Sequence, residues 1–156
     1  MTNKKYISNT EVQSLLNNIV REMTLAQYRP DALVAPSRGG LAPGVMLSHY
    51  FGLPLYTMEV SLRDADIVNY ISIEQALKSA WGHGDRVLLI DDINDTGQTI
   101  ETIREAATHI PLAGDLRVAV LLEKYTSRRE ADFVGDHVRE GREDEWIVYP
   151  WESWWR

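Results

Sequence analysis

The chain has no cysteine among its 156 residues, so neither a disulfide framework nor a thiolate zinc site can hold it together. It has no apolar run near the roughly 18–20 residues of a membrane-spanning helix. Its opening, MTNKKYISNTEV, lacks the apolar centre of a secretory signal. A cytoplasmic protein without a membrane partner is the expectation. Positive charge is scarce too: 16 Lys and Arg against 23 Asp and Glu give a formal net charge of −7. Such a chain repels a polyanion unless its basic residues gather on one face. The one tight basic cluster, Lys124 with Arg128 and Arg129, is weak evidence for that, so no nucleic-acid partner is expected. The four histidines, His49, His83, His109 and His137, show no ligand spacing, and no histidine metal site is expected. No repeat, linker or low-complexity tract breaks the chain, whose length suits one domain with a substantial core.

What is present reads as strands alternating with helices. Ser8 and Glu11 have the spacing of a capping box, and Val12, Leu15, Leu16, Ile19, Val20 and Met23 follow on one helical face. Ala32–Ala35 predicts a short buried strand, residues 36–40 a turn, and Leu41–Phe51 a helix closed by Gly52. Leu55–Val60 predicts a further strand. Residues 62–85 are more polar, with a helix possible over ISIEQALKSAW. Arg86–Ile90 and the β-branched run Leu116–Leu122 predict buried strands, with a helix over Gly97–Thr108 between them. The C-terminal part is less regular. This alternation implies an α/β domain with a mainly parallel central sheet flanked by helices, in which ligands collect at the carboxyl ends of the strands. SRGG, DDINDTGQT and Lys124 each follow a predicted strand, so three distant segments converge on one crevice.

The stretch LLIDDINDTGQT carries the chemistry. Three carboxylates, Asp91, Asp92 and Asp95, fall within five positions and repel one another. Thr96, Gly97 and Thr99 suit a phosphate cradle, because glycine admits close backbone N–H groups, hydroxyls donate, and the next helix offers its positive end. No lysine follows the glycine, so the loop is not a Walker loop and a phosphomonoester fits it better than a nucleoside triphosphate. The adjacent acids then need ribose hydroxyls or a phosphate-bound Mg²⁺ as targets. The combination describes a sugar phosphate. Singly, these residues have plainer uses: aspartate and threonine cap helices, SRGG can start one, and a strand-end lysine is often solvated. The joint placement is what points to a site.

The pattern Asp-Asp-x-x-Asp-Thr-Gly-x-Thr after an apolar strand resembles the phosphoribosyl pyrophosphate (PRPP) signature of type I phosphoribosyltransferases. The segments KYISNTEVQSLLNNIV, APSRGGLAPGVMLSHYFGLPL and EWIVYPWE are similar to those of the bacterial xanthine-guanine, or 6-oxopurine, branch, in the same order. The resemblance implies that fold, with a small base-binding hood formed mainly by 125–156 and a flexible lid at about 62–80. It implies Mg²⁺ as cofactor, PRPP and a 6-oxopurine as substrates, and a homo-oligomer, dimer or tetramer. By resemblance, Asp91 and Asp92 engage the ribose hydroxyls of PRPP and its metal, directly or through water. Asp95 is the candidate base at purine N7. Asp95, Thr96, Gly97, Gln98 and Thr99 hold the 5′-phosphate. Ser37, Arg38 and Gly39 hold pyrophosphate, with a cis peptide in that loop. Lys124 meets the 6-oxo group, Trp146 stacks on the base, and backbone at Ile147 reads its edge.

Such a transfer passes through an oxocarbenium-like ribosyl centre, which gives carboxylates beside the sugar a use. Three positions depart from the pattern: Gln98 replaces a second glycine, Leu62 follows Ser61 where tyrosine is common, and Val148 stands where relatives carry an acid. The last leaves the choice among hypoxanthine, guanine and xanthine open. Trp151, Trp154 and Trp155 crowd the last six residues, which suggests packing or a subunit contact. Two other readings remain in view: a non-catalytic PRPP-sensing regulator, which would need a basic face, and a phosphoribosyltransferase for a different base.

Overall fold

In the computed structural model, residues 2–63, 66–111, 113–128 and 130–156 are described. The capping box forms as its spacing predicts. The Ser8 hydroxyl accepts from the Glu11 N–H at 3.1 Å, and the Glu11 carboxylate accepts from the Ser8 N–H at 2.7 Å. Helix α1 (Asn9–Leu25) follows, burying Val12, Leu15, Leu16, Ile19 and Met23. It is preceded by the short strand β1 (Lys4–Tyr6). Then come β2 (Ala32–Ser37), α2 (Leu41–Phe51), β3 (Leu55–Ser61), β4 (Ile67–Val68) and α3 (Tyr70–Trp81). The rest is β5 (Arg86–Asn94), α4 (Gln98–Thr108), β6 (Asp115–Glu123), β7 (Phe133–His137) and β8 (Trp146–Val148). A 3-10 turn at Pro150–Glu152 ends the ordered elements.

Six strands form one sheet in the order β4-β3-β2-β5-β6-β7, parallel except for β4, which runs antiparallel to β3 at one edge. Side chains alternate across it. Leu33, Leu88, Ile90, Ala119 and Leu121 pack with α1 and α2, and Val34, Val87, Leu89, Val118 and Val120 with α3 and α4. Both faces are covered, as a parallel sheet requires. β1 and β8 pair in parallel as a separate two-stranded sheet, tied by the Trp146 N–H donating to the Asn3 carbonyl at 2.8 Å.

Three elements differ from the sequence reading. β5 runs on to Asn94, because β6 pairs with it as far as Asn94 and Glu123. Asp91 and Asp92 therefore lie within the strand rather than beyond it. β7 arises in the stretch read as irregular. Its Gly135 is needed there, since a Cβ would come within 2.5 Å of the Leu121 carbonyl oxygen and 3.0 Å of the Leu15 Cβ. In the span 62–80, residues 70–80 belong to α3, with Ile73, Ala76, Leu77 and Ala80 buried, and residues 64 and 65 lie outside those described. Arg129 of the basic cluster is likewise outside them. Among the described residues, no helix is long and apolar enough to cross a membrane.

Candidate active site

The carboxyl ends of β2, β3 and β5 open into a cleft of about 720 Å³, faced on another side by Trp146, Trp151, Glu152 and Trp155. It collects most of the residues singled out in the sequence: Ser37, Arg38 and Gly39; Asp91, Asp92 and Asp95; Thr96, Gly97, Gln98 and Thr99; and Trp146. Lys124 and Ile147 stand just behind this lining and act on it through their contacts.

The loop after β2 lies directly on β5. At Gly39 a Cβ would fall 2.5 Å from an Asp92 carboxylate oxygen, so only glycine allows the approach. The Ser37–Arg38 peptide is cis, as the resemblance implied. After β5 the chain turns through Gly97, whose φ of 85° is left-handed, and enters α4. Thr96, Gln98 and Thr99 thereby sit at the amino end of that helix, where backbone N–H groups and the helix dipole favour an anion. Gln98 leaves this geometry intact.

A polar network holds the loop from behind. Asn94 Nδ2 donates to Glu123 Oε1 at 2.7 Å, the Ser127 hydroxyl donates to Asn94 Oδ1 at 2.9 Å, and the Ala131 N–H donates to Glu123 Oε1 at 2.7 Å. Backbone bonds from the Lys124 N–H to the Asn94 carbonyl and from the Arg128 N–H to the Thr96 carbonyl, both 3.0 Å, close the clamp. Its product is an ion pair: Lys124 Nζ lies 2.8 Å from Asp95 Oδ1, the lysine side chain 11% and the aspartate 31% exposed. A hydrogen-bond donor and an acceptor are thus fixed side by side at the cleft.

Asp91 and Asp92 are held differently. The Asp92 N–H donates to Asp91 Oδ1 at 2.9 Å, and the Tyr149 hydroxyl donates to the Asp92 carbonyl at 2.7 Å. Burial pushes the Asp92 carboxyl up to about 6, the positive charge of Arg63 opposing it and Glu152 adding to it. Burial, and then the charge of Asp92, raise Asp91 well above the usual carboxylate range. Burial likewise raises the Tyr149 phenol. Two carboxylates in this condition are short of a cation or of hydroxyl donors. As hard oxygen ligands they fit Mg²⁺, which commonly takes one or two carboxylates and completes its shell with substrate oxygens and water. Among the described residues no group of three His, Cys, Asp or Glu side chains that could hold a metal ion occurs.

Arg63 was not singled out from the sequence. It follows β3, lines the cleft, and holds its guanidinium carbon 4.1 Å from the centre of the Trp146 ring. Its Nη2 donates to the Ile147 carbonyl at 3.0 Å. Tyr149 and Trp151, also unanticipated here, stack at 4.7 Å with 3° between their planes.

A family model described as "Phosphoribosyl transferase domain" matches residues 5–153. Among solved structures, the chain is similar to a purine phosphoribosyltransferase from Pyrococcus horikoshii, with 26% identity, TM-score 0.70, and coverage of 96% of this chain and 95% of that one. It also resembles the Helicobacter pylori xanthine-guanine-hypoxanthine phosphoribosyltransferase, at 19% identity and TM-score 0.75, covering 98% of this chain and 95% of the other. A hypothetical protein from Neisseria gonorrhoeae with bound ppGpp aligns at 20% identity and TM-score 0.72, over 98% of this chain and 91% of its own.

Proposed function

The chain belongs to the phosphoribosyltransferase family, and from that premise we propose that it transfers the 5-phosphoribosyl group of PRPP to N9 of a 6-oxopurine. The products are a nucleoside 5′-monophosphate and pyrophosphate. The observation that carries this reading is the Asp95–Lys124 pair at 2.8 Å. A 6-oxopurine in its N7–H form presents a donor at N7 and an acceptor at O6 on one edge. Asp95 is the acceptor for the first and Lys124 the donor for the second. A 6-aminopurine would turn its own donor toward the ammonium group.

In this reaction the bond from C1′ to the pyrophosphate oxygen breaks, the bond from C1′ to N9 forms, and the N7 proton passes to Asp95. Asp91 and Asp92 accept from the ribose hydroxyls and place negative charge beside the ribosyl centre as it becomes positive. The 5′-phosphate rests on Asp95–Thr99 at the amino end of α4, and Ser37, Arg38 and Gly39 receive the leaving pyrophosphate. Mg²⁺, when bound with PRPP near Asp91 and Asp92, supplies charge neutralisation of the leaving group. Trp146 offers a stacking surface for the purine and Ile147 a backbone acceptor for its edge. The hood lies within the segment 125–156, outside β7, which belongs to the main sheet, and a lid within about 62–80 is confined to the part ahead of α3, whose inner face is packed into the core.

The test is pyrophosphate release from Mg²⁺–PRPP with hypoxanthine, guanine, xanthine, adenine and orotate in turn. Turnover confined to 6-oxopurines is the expected result, with Asp95→Asn lowering kcat by about 100-fold or more, the ordinary weight of a positioned general base. Absence of turnover with every base, while PRPP still binds, would move the protein to a sensing role.

A further inference from the structure

A purine seated in this cleft needs three things: a planar face against Trp146, an N–H donor to the backbone at Ile147, and a place beside the acidic end of β5. In this structure Arg63 already meets all three. Its guanidinium lies over the Trp146 indole at 4.1 Å, and its Nη2 donates to the Ile147 carbonyl at 3.0 Å. Its charge also acts on Asp91, Asp92 and Tyr149. Ile147, whose carbonyl Arg63 meets, is itself fully buried and paired with Lys5 of β1. A guanidinium this close to the ring leaves no space for a purine on that face.

We propose that Arg63 sets the affinity of the base subsite by occupying it: the purine binds by displacing the guanidinium from Trp146 and from the Ile147 carbonyl. This rests on the purine assignment of that subsite. The fit is incomplete, because Arg63 Nε is buried without a hydrogen-bond partner. An unmatched N–H of this kind weakens the occupant, so that a base can compete for the place. A purine that replaces it brings a larger stacking face, and the N1–H of a 6-oxopurine can take over the donation to the Ile147 carbonyl. Apparent affinity then equals intrinsic affinity reduced by the fraction of molecules in which the subsite is open. A desolvated cation–π contact together with one hydrogen bond, offset by the unmatched Nε, predicts a net reduction of about tenfold.

The experiment is calorimetric titration of wild type, Arg63→Ala and Arg63→Gln with the nucleoside 5′-monophosphates of hypoxanthine, guanine and xanthine, alongside steady-state kinetics for base and PRPP. Arg63→Ala is expected to bind the preferred nucleotide about tenfold more tightly and to lower KM for the base, with KM for PRPP nearly unchanged. Arg63→Gln, which keeps an N–H donor but no charge, should fall between. A merely structural arginine would not give tighter binding on removal. Unchanged or weaker nucleotide binding in Arg63→Ala, in a variant that melts as a folded protein, overturns the proposal while turnover by wild type leaves the enzyme reading intact. Should the alanine variant not fold, Arg63→Gln decides by the same criterion. If wild type neither turns over any base nor binds any of the three nucleotides, the purine assignment falls and this one with it.

Discussion

At the scale of single residues the cleft sets carboxylates against the stability of the fold. Asp92 is 7% exposed, and its carboxyl is pushed up to about 6 from an ordinary 3.8, first by burial. Folding therefore favours its protonated form. Its contribution supports the fold below the unfolded value and is lost as pH rises from about 4 through about 6. Ligand-free and metal-free protein should accordingly carry an electrostatic penalty at pH 8 that it lacks at pH 4. Removing the charge in Asp92→Asn should stabilise that form by about 3 kcal/mol at pH 8, a shift of about two units at roughly 1.4 kcal/mol per unit. The gain should shrink toward zero near pH 4. Urea unfolding at both values in the presence of a chelator measures it, and a variant less stable than wild type at pH 8 would refute the account. The same variant should lose activity, since the reading gives that carboxylate the ribose of PRPP.

Elements decide how far such residues can be trusted to hold position, and here the tie between β5 and β6 matters most. Glu123, at the end of β6 and 5% exposed, accepts from both Asn94 and the Ala131 N–H. Glu123→Ala leaves the buried Asn94 amide and the half-buried Ala131 N–H to find new acceptors, which should cost about 2–4 kcal/mol in chemical unfolding. It should also lower kcat and raise KM for PRPP together, because the network backs both the Asp95–Lys124 pair and the loop Asp95–Thr99 that receives the 5′-phosphate. A fall in kcat with KM for PRPP unchanged would mean that the network positions the Asp95–Lys124 pair alone. Elements also explain what the sequence disclosed. Gly97, Thr96 and Thr99 are neighbours in the chain, so their turn and the helix it starts are written locally, and the capping box at Ser8 and Glu11 is legible for the same reason. β7 is five residues long and carries Asp136 and His137, β8 is only three residues long, and β1 is exposed along its whole length. None of them has a pattern of its own until a partner strand is supplied. Arg63 is the extreme case: Ile147, whose carbonyl it meets, is 84 positions away, and a lone arginine after a strand carries no sign of that.

For the whole molecule the opposing terms are surface charge and exposed apolar area. A net charge of −7 on 156 residues makes copies repel weakly at a distance, and salt at physiological strength screens that repulsion to within about 8 Å. Against it stand Trp154 and Trp155, 81% and 62% exposed and packed edge to face at 6.0 Å. Val45, Met46 and Tyr50 on α2 are also exposed. Trp151 has left this group, since it stacks on Tyr149 and faces the cleft. Two neighbouring indoles held in water are costly, and covering them against a second copy would recover area typical of interface anchors. We expect a dimer or tetramer by light scattering near physiological salt, tightening rather than weakening as salt is raised. Replacing both Trp154 and Trp155 by serine should weaken association at least tenfold while leaving urea stability at low protein concentration unchanged. Because Trp155 also lines the cleft, the same double substitution should shift KM for the base if the tail is shared between interface and site. A mass of 17.8 kDa at every concentration and salt would assign the tail to the cleft alone.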